Sequence, residues 1–209
     1  MSLIIRSGAS GTLRGFSRGL RSLAAAVCVV ALAVSPVHAG GEEKMPAPRF
    51  ATFLARMLTY DTHLKKRVGE KLVIAILYEG TNPASVTAGL ELASELKNLE
   101  LIKILDLPVQ THRIAVVGAA ELEKAVQADG IGAFVVSDGL EKQQALIKKV
   151  SEKGKIMTIG TSSQQVRAGF TIAVYLDHGK SKLLVNLRAS KSEGVAFSSD
   201  LLGLAEVIQ

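Results

Sequence analysis

Apolar residues recur at helical spacing from Arg49 onward. Phe50, Phe53, Leu54, Met57, Leu58 and Leu64 lie three and four apart, which predicts an amphipathic helix running to about Arg67. Its last turns carry Lys65, Lys66 and Arg67, the charge a helix C-terminus favours. The pattern then changes. Leu72 to Tyr78 is apolar at every position, as in a strand covered on both faces. After Glu79, Gly80 and Thr81, Asn82 is suited to cap a helix and Pro83 to open it, with Val86, Leu90, Ala93 and Leu96 on its inner face. Short strands are expected over Ile102 to Leu105 and Arg113 to Val117, followed by a helix around Glu121 to Gln127 and a turn at Asp129-Gly130.

Ala133 to Ser137 reads as the next strand. Asp138 followed by Glu141 is an acidic variant of a capping box, opening a helix with Ala145, Leu146 and Val150 inside and its stop at Gly154. Lys155 to Ile159 is another strand, and Gly160 to Ser163 leads into a short helix ending near Gly169. Phe170 to Leu176 and Lys182 to Arg188, joined by Asp177-His178-Gly179-Lys180, predict a hairpin. A polar stretch, Ala189 to Gly194, precedes Val195 to Phe197, and Ser198-Ser199-Asp200 caps a final helix bearing Leu201, Leu202, Leu204, Ala205 and Ile208. Strands separated this regularly by helices predict an α/β fold. Its sheet is largely parallel, with helices on both faces and a C-terminal antiparallel hairpin.

The first 39 residues are different. A basic region ending at Arg21 precedes an apolar run, Leu23 to Val34, too short to span a membrane but suited to a secretory signal. Val37 and Ala39 stand third and first before an expected cut, so residues 1–39 read as a cleaved signal peptide. Residues 40–48 then read as a polar linker and 49–209 as the folded domain. This leader also accounts for the charge. The whole chain is +6, but residues 1–39 hold Arg6, Arg14, Arg18 and Arg21 and no acid, leaving 21 basic against 19 acidic residues beyond them. A nucleic-acid partner is therefore not expected. Cys28 is the only cysteine and lies in the leader, so the exported chain has neither disulfides nor thiol chemistry. The acid-free leader indicates export to a bacterial periplasm.

Candidate chemistry is sparse. Gly179-Lys180-Ser181 looks like the end of a phosphate-binding loop, but position 174 is Val and the context is a hairpin turn. His63, His112 and His178 are too dispersed to suggest a metal trio. Asp61 and His63, two apart, do not face each other as an acid and base; Asp61 is expected to bind a backbone group or a nearby basic side chain. No catalytic residues, metal or cofactor are assigned. What remains is the crevice beyond the carboxyl ends of the strands, where helix N-termini attract anions. The loops there are Glu79 to Asn82, Gly118, Asp138 and Gly160 to Ser163; Gly160, Thr161, Ser162 and Ser163 are the best candidates, Gly80, Thr81 and Asn82 are further ones, and ordinary turns and caps are the competing explanation.

The final third carries a more specific pattern. Gly169-Phe170, then Val185 to Ala189, Gly194 and Phe197-Ser198-Ser199-x-Leu201-Leu202-x-Leu204-Ala205 resemble the C-terminal half of the YfiR-like family of periplasmic proteins, which includes the HmsC type. The resemblance implies a Rossmann-like, non-enzymatic, exported module. Best-understood members restrain an inner-membrane diguanylate cyclase by binding its periplasmic portion, coupling envelope signals to cyclic di-GMP; others accompany sensor histidine kinases or outer-membrane receptors. Gly169, Asn186, Ser198, Ser199, Leu201, Leu202 and Leu204 match positions with structural roles. Members often have disulfides, which this exported chain cannot form. The expected function is a regulatory binding module, acting as a homodimer on a membrane signalling partner. A periplasmic carrier of a small anion or metabolite is the alternative.

Overall fold

The computed structural model describes residues 41–209, so the predicted signal peptide lies outside the described residues. The strands are β1 (Glu42–Glu43), β2 (Leu72–Tyr78), β3 (Lys103–Ile104), β4 (Leu107–Ala115), β5 (Ile131–Val136), β6 (Met157–Gly160), β7 (Ile172–Asp177), β8 (Lys180–Asn186) and β9 (Glu206–Ile208). The helices are α1 (Ala47–Thr59), α2 (Leu64–Val68), α3 (Pro83–Leu96), α4 (Ala119–Asp129), α5 (Gln144–Gly154), α6 (Ser163–Arg167), α7 (Leu187–Ser192) and α8 (Ser199–Leu204). One sheet runs β3-β4-β2-β5-β6-β7-β8-β9, with β1 added to β7. The five strands β4-β2-β5-β6-β7 are parallel to one another, and β7–β8 is the antiparallel hairpin. The sheet is thus largely parallel and α/β, and it grows from β2 in both directions, the doubly wound arrangement.

Burial follows directly from the runs of apolar sequence. β2 and β5 sit mid-sheet and are buried along almost their whole length because helices cover both faces. On one face Ile74, Ile76, Val135 and Val174 meet Phe50, Leu54 and Leu58 of α1 and Leu92 and Leu96 of α3. On the other, Val73, Leu77, Phe134 and Val136 meet Leu122 of α4 and Ile147 and Val150 of α5.

Where the structure departs from the sequence reading, a side chain has usually outbid helical or strand periodicity. The single helix expected over Arg49 to Arg67 is two, broken at Tyr60–His63. There Asp61 turns inward: its Oδ1 accepts the amides of His63 (3.0 Å) and Ala196 (3.2 Å), and its Oδ2 accepts Arg67 Nη2 (2.6 Å) and Nε (3.3 Å). Arg67 Nη1 also donates to the carbonyls of Gly132 (3.1 Å) and Lys155 (2.9 Å). The pair is buried and almost fully hydrogen-bonded, and it ties the α1–α2 corner to β5, the end of α5 and the segment before α8.

Other differences are smaller. Within the stretch expected as a linker, β1 pairs with β7 and α1 begins at Ala47. The buried face of α3 is Ser85, Ala88, Gly89, Leu92 and Leu96 rather than the one centred on Leu90, which is 49% exposed. The helix lies so close to the sheet that a Cβ on Gly89 would come within 2.9 Å of Tyr78 Cβ. The strand expected over Ile102 to Leu105 is only Lys103–Ile104, and β4 starts at Leu107, six residues before the expected Arg113, because Leu105 and Asp106 take positive φ in a tight hairpin turn. Asp138 does not cap α5; a short 3-10 turn over Glu141–Gln143 precedes that helix, and Ala145 is exposed. Asn186 ends β8 by accepting the amide of Ala189 (3.0 Å), which makes Leu187–Ser192 a helix in place of strand and polar loop. The last helix stops at Leu204, and Ile208 belongs to β9, parallel to β8.

A second buried polar knot joins four elements. Glu193, fully buried after α7, takes bonds from Thr158 N (2.8 Å), Thr158 Oγ1 (2.8 Å) and Thr171 Oγ1, and lies 2.8 Å from Ser151 Oγ. Burial away from water raises its pKa despite these donors.

Two outcomes follow. Asp61→Ala strands a buried guanidinium and is expected to lower unfolding free energy by about 3–5 kcal/mol in urea titrations, whereas Asp61→Asn with Arg67→Met costs less than either change alone. For Glu193 the folded pKa lies above the unfolded one, so its contribution is fully present below the unfolded value and is lost as pH rises through the folded value. Urea midpoints measured from pH 4 upward should therefore fall more steeply for the native protein than for Glu193→Gln, which keeps a neutral side chain at every pH.

Candidate functional site

Two concavities compete for a functional role. The first is the crevice beyond the carboxyl ends of β2, β5 and β6, where the sequence places Gly80, Thr81, Asn82, Gly160, Thr161, Ser162 and Ser163. These residues form two groups separated by the loop after β5. Asn82 caps α3, accepting the amides of Ala84 (3.0 Å) and Ser85 (3.4 Å), and Thr81 donates its amide and hydroxyl to Glu79 Oε1 (3.3 and 2.9 Å). Gly139 fills the space between the groups: with φ +88° it approaches so closely that a Cβ would lie 2.8 Å from Asn82 Nδ2 and 2.9 Å from Ser85 Cβ.

The donors at the end of β6 are also engaged. Gln165 Oε1 accepts the amides of Thr161 (2.7 Å) and Ser162 (3.1 Å), while Ser162 Oγ accepts the amide of Gln165 (3.4 Å), a capping box at α6. Thr161 Oγ1 donates to Asp138 Oδ1 at 2.7 Å. Ser163 donates its amide to Glu42 Oε1 at 2.6 Å and its hydroxyl to Glu42 Oε2. A carboxylate of this chain therefore stands where an external anion was expected. The hollow left over it, about 240 Å³, is lined by Glu42, Glu43, Lys44, Asp138, Thr161, Ser162 and Gln164, with Lys44 paired to Asp138 at 3.4 Å.

The second concavity lies between α1, the β7–β8 hairpin and α8. Phe53, Met57 and Tyr60 of α1 and its C-cap, Val174 of β7, Leu183 of β8, and Leu201 and Leu204 of α8 wall an apolar cleft of about 320 Å³. Its polar groups are Arg56, Ser181 and Lys182. Neither cation has an acidic partner among the described residues, and Ser181 Oγ is buried without a hydrogen bond. Leu204 stands 74% exposed on the rim. The volume matches one large side chain or a small ligand, and apolar walls with a few placed polar groups are what a binding pocket requires.

Sequence reasoning assigned Phe53, Met57, Leu201 and Leu204 to helix interiors and did not bring them together as a site. A signal was present: Phe53 widens the apolar stripe of α1 beyond what its buried face, Phe50, Leu54, Met57 and Leu58, requires. Arg56, Tyr60, Ser181 and Lys182 carried no such signal, because the contact of α1 with β8 and α8 exists only in three dimensions.

Chemistry is not concentrated at either place. Groups with shifted acidity are the buried Glu193, Tyr175, raised mainly by burial, and Glu100, lowered to about 2 by its hydrogen bond to Lys97 and those from Thr111; none lines the apolar cleft. Among the described residues no group of His, Cys, Asp and Glu is arranged to hold a metal, and no helix is long and apolar enough to cross a membrane.

Comparison with known proteins adds family and fold. A family model described as YfiR/HmsC-like matches residues 51–206. No curated protein matches the chain. Among solved structures, a conserved domain protein from Vibrio cholerae is similar at 12% identity and TM-score 0.53, over 78% of this chain and 60% of that one. A ligand-free, open substrate-binding protein with adhesive properties from Clostridium difficile is similar at 13% identity and TM-score 0.50, over 70% and 57%. The chain thus spans under two thirds of the length of either, and the likeness is one of fold.

The crevice makes one prediction. Glu42→Ala should release the amide of Ser163, seen as faster hydrogen exchange there by NMR, with little change in the unfolding midpoint because both partners are at the surface.

Proposed function

The chain belongs to the YfiR/HmsC-like family, and from that premise we propose that it is a non-enzymatic periplasmic binding module that docks the periplasmic portion of an inner-membrane signalling protein in the cleft between α1, β8 and α8. Family membership supports the regulatory, periplasmic role in general. The finer reading names a diguanylate cyclase or a histidine kinase as partner, a homodimer as the acting form and cleavage of residues 1–39 as the route to the periplasm. An outer-membrane receptor is the other partner class consistent with the family.

The cleft carries the proposal. Its walls are apolar, its rim exposes Leu204, and Arg56 and Lys182 stand without acidic partners among the described residues, a pattern suited to an aliphatic or aromatic anchor followed by an acidic residue. Regulation then needs no chemistry on this chain. A partner that prefers one arrangement of the module, or is preferred in one of its own, shifts the equilibrium by its differential affinity. Cyclic di-GMP synthesis or kinase output on the far side of the membrane would follow the docked fraction.

The small-molecule reading has a narrower place. An anion at Gly160–Ser163 must displace Glu42 from Ser163 and tolerate Glu43 and Asp138 nearby, so the carrier function predicts tighter anion binding in Glu42→Ala. The docking reading does not depend on Glu42.

The experiment compares Phe53→Asp and Leu204→Asp with Ser163→Ala in cells carrying the membrane partner. The two cleft variants should shift cyclic di-GMP, or kinase-dependent transcription, to the level of a strain lacking the protein, while Ser163→Ala keeps the native level. Native output from both folded cleft variants would overturn the docking site.

A further inference from the structure

The two edges of the sheet are finished differently. At one edge β9 lies along β8. At the other, β3 pairs with β4 only at Leu107 and Pro108, and among the described residues no strand lies outside β4 from Val109 to Ala115. A side chain replaces the missing strand at one point. Glu100 Oε1 accepts the Thr111 amide at 2.8 Å and its hydroxyl at 2.7 Å, while Lys97 Nζ holds the other oxygen at 2.7 Å. Exposed edges are commonly blunted in such ways against unwanted pairing. Here the blunting stops at Thr111.

Alternate residues of a strand direct their amides to the same side. Because the Thr111 amide faces outward to Glu100, those of Arg113 and Ala115 face outward too, past the reach of Glu100. The surroundings are basic. Lys71, Lys103, His112 and Arg113 are exposed around this stretch; Lys71 reaches only Gln110, Arg113 lies over the Tyr78 ring at 4.9 Å, and none has an acidic partner among the described residues. Of the nearby acids, Glu100 is committed to Lys97 and Asp106 to Lys65, while Glu70, next to Lys71, pairs with no cation among the described residues. Leu101 and Val117, 85% and 82% exposed, stand before β3 and after β4.

We propose that the open part of β4, from Thr111 to Ala115, receives an extended acidic segment of a partner protein as an added strand. Backbone pairing to Arg113 and Ala115 supplies affinity, and acidic side chains facing Lys71, Lys103 and Arg113 select the segment. A second copy of this chain fits less well, since pairing β4 with itself sets His112 and Arg113 against the same cations. This surface lies across the sheet from the α1–β8–α8 cleft and stands independently of the docking function proposed there.

The test titrates the purified protein with a fluorescent twelve-residue peptide alternating glutamate with valine. Two control peptides are used: one with lysine in place of glutamate, and one with alternate amides N-methylated to prevent pairing along one edge. The glutamate peptide should bind, weaken with salt, and slow amide exchange at Arg113 and Ala115 by about tenfold or more. Arg113→Glu should weaken it about tenfold or more, a change of about 1.4 kcal/mol or more. Ala115→Pro removes an outward amide that β2 does not use and should weaken binding too; should that variant not fold, the N-methylated peptide makes the same test from the partner's side. No binding at millimolar peptide, equal binding of either control, or binding without protection at Arg113 and Ala115 would overturn the proposal. So would concentration-dependent protection of these amides without peptide, which would assign the edge to a second copy.

Discussion

The buried pair of Asp61 and Arg67 is the constraint on which the rest of the architecture depends. A charge placed in a protein interior is costly unless it is matched and fully hydrogen-bonded. Here the charge is matched and almost every donor is used, which consumes the nearby amide of His63 and, from distant parts of the chain, the amide of Ala196 and the carbonyls of Gly132 and Lys155. The pair therefore fixes where α1 ends, how α2 turns away, and where the segment before α8 lies. Phe197 bridges to Asp61, and Ser198 donates its amide to the carbonyl of Tyr60, bringing the start of α8 beside the end of α1. The apolar cleft is formed by that juxtaposition.

The general rule for open α/β sheets directs attention to the carboxyl ends of the strands. In this molecule that region is filled by its own side chains. Gln165, Asp138 and Glu42 occupy the donors after β6, and Gly139 closes the gap beside Asn82. Apolar walls and two cations without acidic partners among the described residues stand instead at the α1–β8–α8 cleft. A module that recognises a protein surface has no need of a deep crevice, and this division agrees with membership of a regulatory family.

Much of the fold was legible in the amino-acid order. The uninterrupted apolar run Leu72 to Tyr78 and the Asn82-Pro83 start of α3 both signal themselves locally, and each is found where expected. The hairpin is legible for the same reason: His178 and Gly179 accept the positive φ values its turn needs. What was illegible arose from long-range contacts. Periodicity carries α1 through Asp61, because the residues that stop it lie more than a hundred positions away. The polar alternation of β4 hid its length, since an edge strand lacks the apolar signature of a central one. Leu187 to Ser192 have strand and loop character in sequence, and the Asn186 cap makes them a helix. The candidate loops lie at strand ends, but that Glu42, from a segment with the composition of a linker, occupies Ser163 is a tertiary fact.

Under the proposed function, a membrane partner docks in the cleft and not in the crevice. The most direct measurement is site-specific photocross-linking in living cells, with a benzophenone amino acid placed in turn at Phe53, Leu204 and Gln164, and the products identified by mass spectrometry. Docking in the cleft predicts adducts to a single inner-membrane signalling protein from positions 53 and 204, and none from 164. Adducts to that protein from 164 alone would contradict it.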